Sequence, residues 1–180
     1  MDSSSSPQDN SIRWVVMGVS GCGKSTVGQA LATARGVAFV EGDAFHPPAN
    51  VAKMSAGLAL NDDDRTDWLL ALQAEVAEAR QAGVGLVLSC SSLKRRYRDL
   101  LRAADPALRF AHLSGARELI ADRMQARVGH YMPPSLLDSQ FKDLQPLQAD
   151  EAGITLAITA PPAQLVARIL ASEGGADSRT

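Results

Sequence analysis

Residues 18–25 read GVSGCGKS, and their setting constrains the fold more than any other stretch of the chain. Before them, IRWVVMG at 12–18 is a short β-branched run ending in glycine, the mark of a buried parallel strand. After them, KSTVGQALATARG at 24–36 spaces Val27, Leu31 and Ala34 as a helix does and stops at Gly36. The octet fits G-x-x-x-x-G-K-[ST], a strand-to-helix loop whose backbone N–H groups curl around a phosphate. The helix N-terminus adds a partial positive charge. Gly18, Ser20, Gly21, Cys22, Gly23, Lys24, Ser25 and Thr26 are therefore expected to hold a nucleotide. Lys24 should reach its β- and γ-phosphates, and Ser25 should ligate Mg²⁺. Cys22 reads as a small filler inside the loop.

The same alternation of strand and helix continues along the chain. VAFV (37–40), VGLVLSC (84–90), LRFAHLS (108–114) and ITLAIT (154–159) read as further strands. Between them lie a short helix at 49–57, a long one at 64–83, a basic one at 93–105 and another at 116–129, and PPAQLVARILAS (161–172) closes the pattern. Alternation of this kind calls for a parallel sheet covered by helices on both faces, an α/β fold. Residues 130–151 are polar and proline-marked with little core pattern, and so predict a lid rather than scaffold.

The 180 residues suffice for one such domain. It is expected at 11–172, with an acceptor-binding region at about 43–83, a lid at about 128–150, and disordered tails at 1–10 and 173–180. A net charge of -2 gives no basic field for nucleic acid or a membrane surface. No apolar run reaches bilayer length, and the N-terminus lacks a secretory signal pattern. Cys22 and Cys90 suggest no disulfide framework, so a cytoplasmic protein is expected.

The phosphate loop does not by itself separate kinases from switches. A GTPase switch normally adds a base-reading N/T-K-x-D motif and a D-x-x-G loop, and neither is found. The second strand ends in Glu41-Gly42-Asp43, and the third in Ser89-Cys90-Ser91-Ser92 followed by Lys94. Carboxylates, hydroxyls and an ammonium at the carboxyl edge of a parallel sheet suit a polyol acceptor that carries an anionic group.

Three longer stretches extend this reading. HPPANVAKMSAGLALNDDDRTDWL (46–69) resembles the gluconokinase pattern H-P-x-x-N-x-x-K-M-x-x-G-x-P-L-x-D-x-D-R-x-x-W-L. CSSLKRRYRDLLR (90–102) resembles that family's C-S-A-L-K-x-x-Y-R-D-x-L-R, and GHYMPPSLLDSQFKDLQPLQADE (129–151) its lid. The resemblance runs from about residue 13 to 170. It implies the three-layer α/β/α fold of nucleoside-monophosphate and shikimate kinases, with a five-stranded parallel sheet in the order 2-3-1-4-5 and a helical lid. It also implies transfer of the γ-phosphoryl of ATP, with Mg²⁺, to the 6-hydroxyl of D-gluconate. The product, 6-phospho-D-gluconate, feeds the pentose phosphate pathway, and related gluconokinases are homodimers. The alternative is another small-molecule P-loop kinase, acting on shikimate or a nucleoside monophosphate. The chain departs from the pattern at Ala59, where proline is usual, at Glu41, where aspartate is usual, and at Gln145 and Gln148, where glutamates are usual.

Roles follow on that basis. Asp43 is read as the catalytic base or hydroxyl-orienting group, against a loop-capping carboxylate. Glu41 is read as supporting Mg²⁺ through water. His46 either bonds a substrate hydroxyl or braces the His-Pro-Pro turn, and Lys53 either lines the pocket or lies in solvent. Arg65 offers a bidentate fork for the gluconate carboxylate, against a salt bridge to Asp62, Asp63 or Asp64. Lys94 and Arg98 share a face of the basic helix and are substrate candidates. Arg123 is read as stacking on adenine and Arg127 as reaching the phosphates in catalysis. His130 and Gln140 of the lid are expected to touch substrate on closure, and His112 to be structural.

Overall fold

The computed structural model describes residues 11–127 and 133–174. The expected tail at 1–10, most of that at 173–180, and His130 lie outside the described residues. Five strands form one parallel sheet: β1 (Arg13–Met17), β2 (Ala38–Glu41), β3 (Leu86–Ser89), β4 (Arg109–Ser114) and β5 (Gly153–Ala157). Their order is β2-β3-β1-β4-β5, as the resemblance implies. β1 lies at the centre, and Val15 pairs in register with Leu88 on one side and Phe110 on the other.

Among the described residues, seven helices cover the sheet: α1 (Lys24–Arg35), α2 (Pro48–Ser55), α3 (Asp62–Ala82), α4 (Arg95–Ala104), α5 (Arg117–Gln125), α6 (Pro134–Asp143) and α7 (Pro162–Gly174). The two-residue period of β1 divides the core between the faces. Trp14 and Val16 pack with Val27 and Leu31 of α1, Ile120 of α5 and Leu165 and Ile169 of α7. Val15 and Met17 pack with Trp68, Leu72 and Val76 of α3 and Leu101 of α4. The result is three layers, α/β/α. No helix among the described residues is long and apolar enough to cross a membrane.

Two elements differ from the sequence expectation. α6 is the helix of the expected helical lid, but it contributes core where the residue pattern showed little: it starts in a Pro-Pro step and buries Leu136 and Leu137. α7 runs two residues past the expected domain end, because Glu173 is held there. Its Oε1 accepts a hydrogen bond from Trp14 Nε1 at 2.7 Å, and its Oε2 lies 3.1 Å from Arg35 Nη1. The long helix α3 starts at Asp62 because Asn61 caps it. The Asn61 side chain accepts from the Asp64 N–H, and the Asp64 carboxylate accepts from the Asn61 N–H, a capping box.

Candidate active site

The chain leaves β1 at Met17 and enters α1 at Lys24 through the phosphate loop. Gly23, the residue before the helix, has φ 100°, a left-handed conformation that side chains disfavour. Lys24 Nζ donates to the carbonyls of Gly18 and Val19 at 3.1 and 3.0 Å, which draws its charge over the loop. Cys22 is 1% exposed, consistent with a filler. A cleft on one side of the loop is lined by Gly21, Cys22, Gly23 and Thr26 together with Arg123 and Arg127. Arg123 Nη2 donates to the Ile158 carbonyl at 2.8 Å, which sets its guanidinium against the segment after β5.

On the other side lies a pocket whose walls include Ser20, Lys24, Asp43, His46, Arg65 and Gln140. Glu41 ends β2, and a 3-10 turn at Gly42–Phe45 follows. Gly42 is forced by the neighbouring strand, since a Cβ there would strike the carbonyl oxygen of Ser89. The turn is tied to α3 through Trp68 Nε1, which donates to the Gly42 carbonyl at 2.8 Å. Asp43 then projects into the pocket with its side chain 68% exposed. His46 stacks on Trp68 with ring centroids 4.2 Å apart. Burial pushes the His46 pKa down, against the opposing pull of Asp43.

Glu41 faces the phosphate loop. Its Oε2 accepts from Ser25 Oγ at 2.5 Å and its Oε1 from Ser89 Oγ at 2.7 Å. Among the described residues no group of three or more His, Cys, Asp or Glu is placed to hold a metal ion. A hydroxyl and a carboxylate beside a phosphate loop nevertheless fit Mg²⁺, which keeps several waters and takes few protein oxygens.

Arg65 is 6% exposed at the start of α3. Its Nη1 donates to the Tyr97 hydroxyl at 2.9 Å and to Asp143 Oδ2 of α6 at 3.1 Å. Burial opposes its charge, but Tyr97 and Asp143 outweigh that cost and raise its pKa. The ion pair with Asp62, Asp63 or Asp64, the alternative to substrate binding, is not the one formed. Asp62 instead accepts from the Tyr97 hydroxyl and from Lys94 Nζ, the latter at 3.0 Å. Lys53 Nζ pairs with Asp64 Oδ2 at 2.6 Å. Lys94 and Lys53 are thus each paired with an acid from the first turn of α3, and neither stands in the pocket wall. The lid reaches the phosphate loop through Gln140, whose Oε1 accepts from the Ser20 N–H at 2.7 Å and whose Nε2 donates to Ser20 Oγ at 3.0 Å.

A loop for phosphate, a carboxylate beside it, and a buried guanidinium across from both form the outline of a phosphotransferase. An AAA domain family matches residues 14–147. The gluconokinase of Gluconobacter oxydans (strain 621H) is 52% identical over 137 residues, 76% of this chain and 77% of that protein. The chain belongs to the gluconokinase family. Among solved structures, a gluconokinase from Sinorhizobium meliloti 1021 is 44% identical with a TM-score of 0.84, over 92% of this chain and 93% of that one. An unliganded sugar kinase from Janibacter sp. HTCC2649 is 46% identical with a TM-score of 0.86, over 92% of this chain and 95% of that one. A shikimate kinase from Aquifex aeolicus, 17% identical with a TM-score of 0.59 over 93% of this chain and 100% of that one, shares the fold alone.

Among the substrate candidates of this gluconokinase-family chain, Arg98 departs furthest from its sequence reading. Arg98 does not line the pocket. It is fully buried, and its guanidinium is consumed by Glu151, at 2.7 and 2.9 Å, and by the carbonyls of Ser92 and Gln145. Its helix presents four arginines, and the one facing inward meets a carboxylate 53 positions away that no local pattern announces. Glu151 is correspondingly acidic: burial works against its charge, yet Arg98 and Arg102 bring its pKa down to about 2. The substituted lid glutamines keep polar roles. Gln145 Oε1 accepts from the Arg95 N–H, and Gln148 Oε1 accepts from Arg95 Nη1. Two residues not anticipated as site components are Asp143, three positions beyond Gln140, and Asn50, four beyond His46. His112 is buried in β4, as a structural residue should be, and burial lowers its pKa to about 4.

Proposed function

We propose that this chain is an ATP-dependent gluconokinase that phosphorylates the 6-hydroxyl of D-gluconate. The observation that carries the assignment is the single pocket that Lys24, Asp43 and Arg65 share. Phosphoryl transfer passes through a loose transition state, so catalysis consists mostly of positioning and charge stabilisation. Lys24 leaves the loop carbonyls for the β- and γ-phosphates, and the loop N–H groups hold the rest. Arg123 offers its plane to adenine, and Arg127 its fork to the phosphates. Arg65 retains donors beyond the shared Nη1, and they present a planar fork to the gluconate carboxylate. With the carboxylate end fixed, the far hydroxyl lies beside Asp43. Its oxygen attacks the γ-phosphorus, the bond to the bridging oxygen breaks, ADP leaves, and the hydroxyl proton passes to Asp43.

Ser25 and Glu41 are the residues that would hold Mg²⁺, which when bound neutralises charge on the phosphate oxygens. Gln140 brings the lid down on the phosphate loop and shields the γ-phosphate from water. A homodimer in the cytoplasm completes the reading, and the reduced, buried Cys22 and Cys90 suit that compartment. Its product is placed to enter the pentose phosphate pathway.

The test is an assay of purified protein with ATP and Mg²⁺. ATP consumption should match D-gluconate added, mole for mole. Faster turnover of shikimate, a nucleoside monophosphate or another sugar acid would overturn the assignment. Light scattering on the eluted protein tests the dimer.

A further inference from the structure

Asn50 sits in the first turn of α2, 4% exposed, behind the pocket rather than in its wall. Its Nδ2 donates to the backbone carbonyl of Asp64 at 2.8 Å. A carbonyl only accepts, so this contact fixes which end of the amide is nitrogen. The same nitrogen lies 3.3 Å from Nδ1 of His46. Both hydrogens of the amide are then accounted for, one to each acceptor. Nδ1 of His46 must offer a lone pair, because an N–H there would meet another N–H. A neutral imidazole with a bare Nδ1 carries its proton on Nε2. The same contact disfavours the doubly protonated ring.

The ring is held in orientation as well as in protonation. It lies on Trp68 at an interplanar angle of 17°, and Trp68 is pinned by its bond to the Gly42 carbonyl. In that pose Nε2 faces Asp43 Oδ1 at 3.9 Å. That is too long for a direct hydrogen bond, and both groups line the acceptor pocket. A hydroxyl oxygen lying between them would accept from Nε2–H and donate to the Asp43 carboxylate. With the opposite tautomer the hydroxyl would face two acceptors and have one proton to give. Burial of the ring, which lowers its pKa, supports the neutral form.

We propose that Asn50 is a positioning residue for phosphoryl transfer: it fixes neutral His46 as the Nε2–H tautomer, so that His46 and Asp43 together orient one acceptor hydroxyl. This rests on the assignment of Asp43 to the reacting hydroxyl. No proton is lost or gained by His46 in the step; the hydroxyl proton still passes to Asp43.

Two measurements test it. Nitrogen-15 NMR of histidine-labelled free protein should show His46 protonated at Nε2, a readout that needs no substrate. In Asn50→Asp the new carboxylate accepts from Nδ1–H, so the tautomer should reverse. With it, kcat should fall about tenfold, the worth of one misdirected hydrogen bond, while KM for ATP stays within about twofold. In an Asp43→Asn background the same substitution should cost little, since the partner carboxylate is gone. The second measurement avoids dependence on that variant's folding. His46→Gln keeps an N–H near the Nε2 position and should retain more kcat than His46→Leu. Nδ1 protonation in the wild type, an unchanged kcat with a reversed tautomer, or equal losses in His46→Gln and His46→Leu would each overturn the proposal. A protein with the expected tautomer that prefers another substrate would fault the gluconate assignment and leave this one standing.

Discussion

Gln140 holds Ser20 with both ends of one amide, accepting from its N–H and donating to its hydroxyl, so the lid helix α6 is latched to the phosphate loop. Gln140→Ala removes both bonds and leaves the other ties of α6, including Arg65 to Asp143, in place. Backbone amides of α6 should exchange with deuterium about tenfold faster than in the wild type, from the loss of roughly 1–2 kcal/mol of local stability. Exchange in the β1 and β3 amides should not change. A uniform increase across the sheet would show that the latch is part of global stability instead.

Asp43 projects into the pocket and its side chain is largely exposed, so its replacement should separate chemistry from folding. Asp43→Asn is expected to lower kcat by about 10²- to 10⁴-fold, the usual contribution of a positioned base. KM for ATP and the melting temperature should hardly move. Parallel losses in kcat and ATP affinity would take Asp43 out of the base role.

Arg65 is bound to Tyr97 and Asp143, so truncating it would strand a partly buried carboxylate and confound the measurement. Arg65→Lys keeps the charge and removes the fork. KM for D-gluconate should rise about 10- to 100-fold with KM for ATP unchanged. An unchanged gluconate KM would leave Arg65 as a brace between α3 and α6.

The buried pair Arg98–Glu151 gives stability a pH signature. Glu151 titrates near 2 in the folded protein and near 4.5 ordinarily, so the folded pKa is the lower one. Its contribution is complete above about pH 4.5 and disappears as pH falls toward 2. Urea unfolding at steps from pH 6 to pH 3 should show this decline, and Glu151→Gln should flatten it. Arg98→Met, which takes away the bidentate partner of the buried carboxylate and leaves it to Arg102 and the Gln148 N–H, should cost about 3 kcal/mol at neutral pH.

What the sequence disclosed was whatever repeats or stays local. The five strands, the phosphate loop and the acids after β2 follow from short periodic runs and a fixed motif. The helical lid followed from the family resemblance, but the core that α6 supplies escaped the residue pattern because it rests on few side chains, Leu136 and Leu137 with Phe141 beside them, amid polar residues. The proline pair at its start was the available signal. Arg98 was placed on the wrong side of its helix because spacing groups it with Lys94 without saying which face turns inward. The Tyr97 hydroxyl joins Arg65 to Asp62, a link between α3 and α4 that no local pattern announces. Asn50 could be recognised only once α2 and the start of α3 were brought together, since its meaning lies in the Asp64 carbonyl.

The bond from Trp14 to Glu173 has a consequence for how the protein is made. Trp14 lies in the central strand and leaves the ribosome long before its acceptor, which follows 159 positions later. Until α7 has been translated, the indole N–H has no partner at that site and the apolar face that Leu165 and Ile169 cover stays open to water. The nascent chain therefore completes this half of its core only once α7 has emerged, and a ribosome stalled before Glu173 is translated would display a protein that has built its phosphate loop but not the layer behind it.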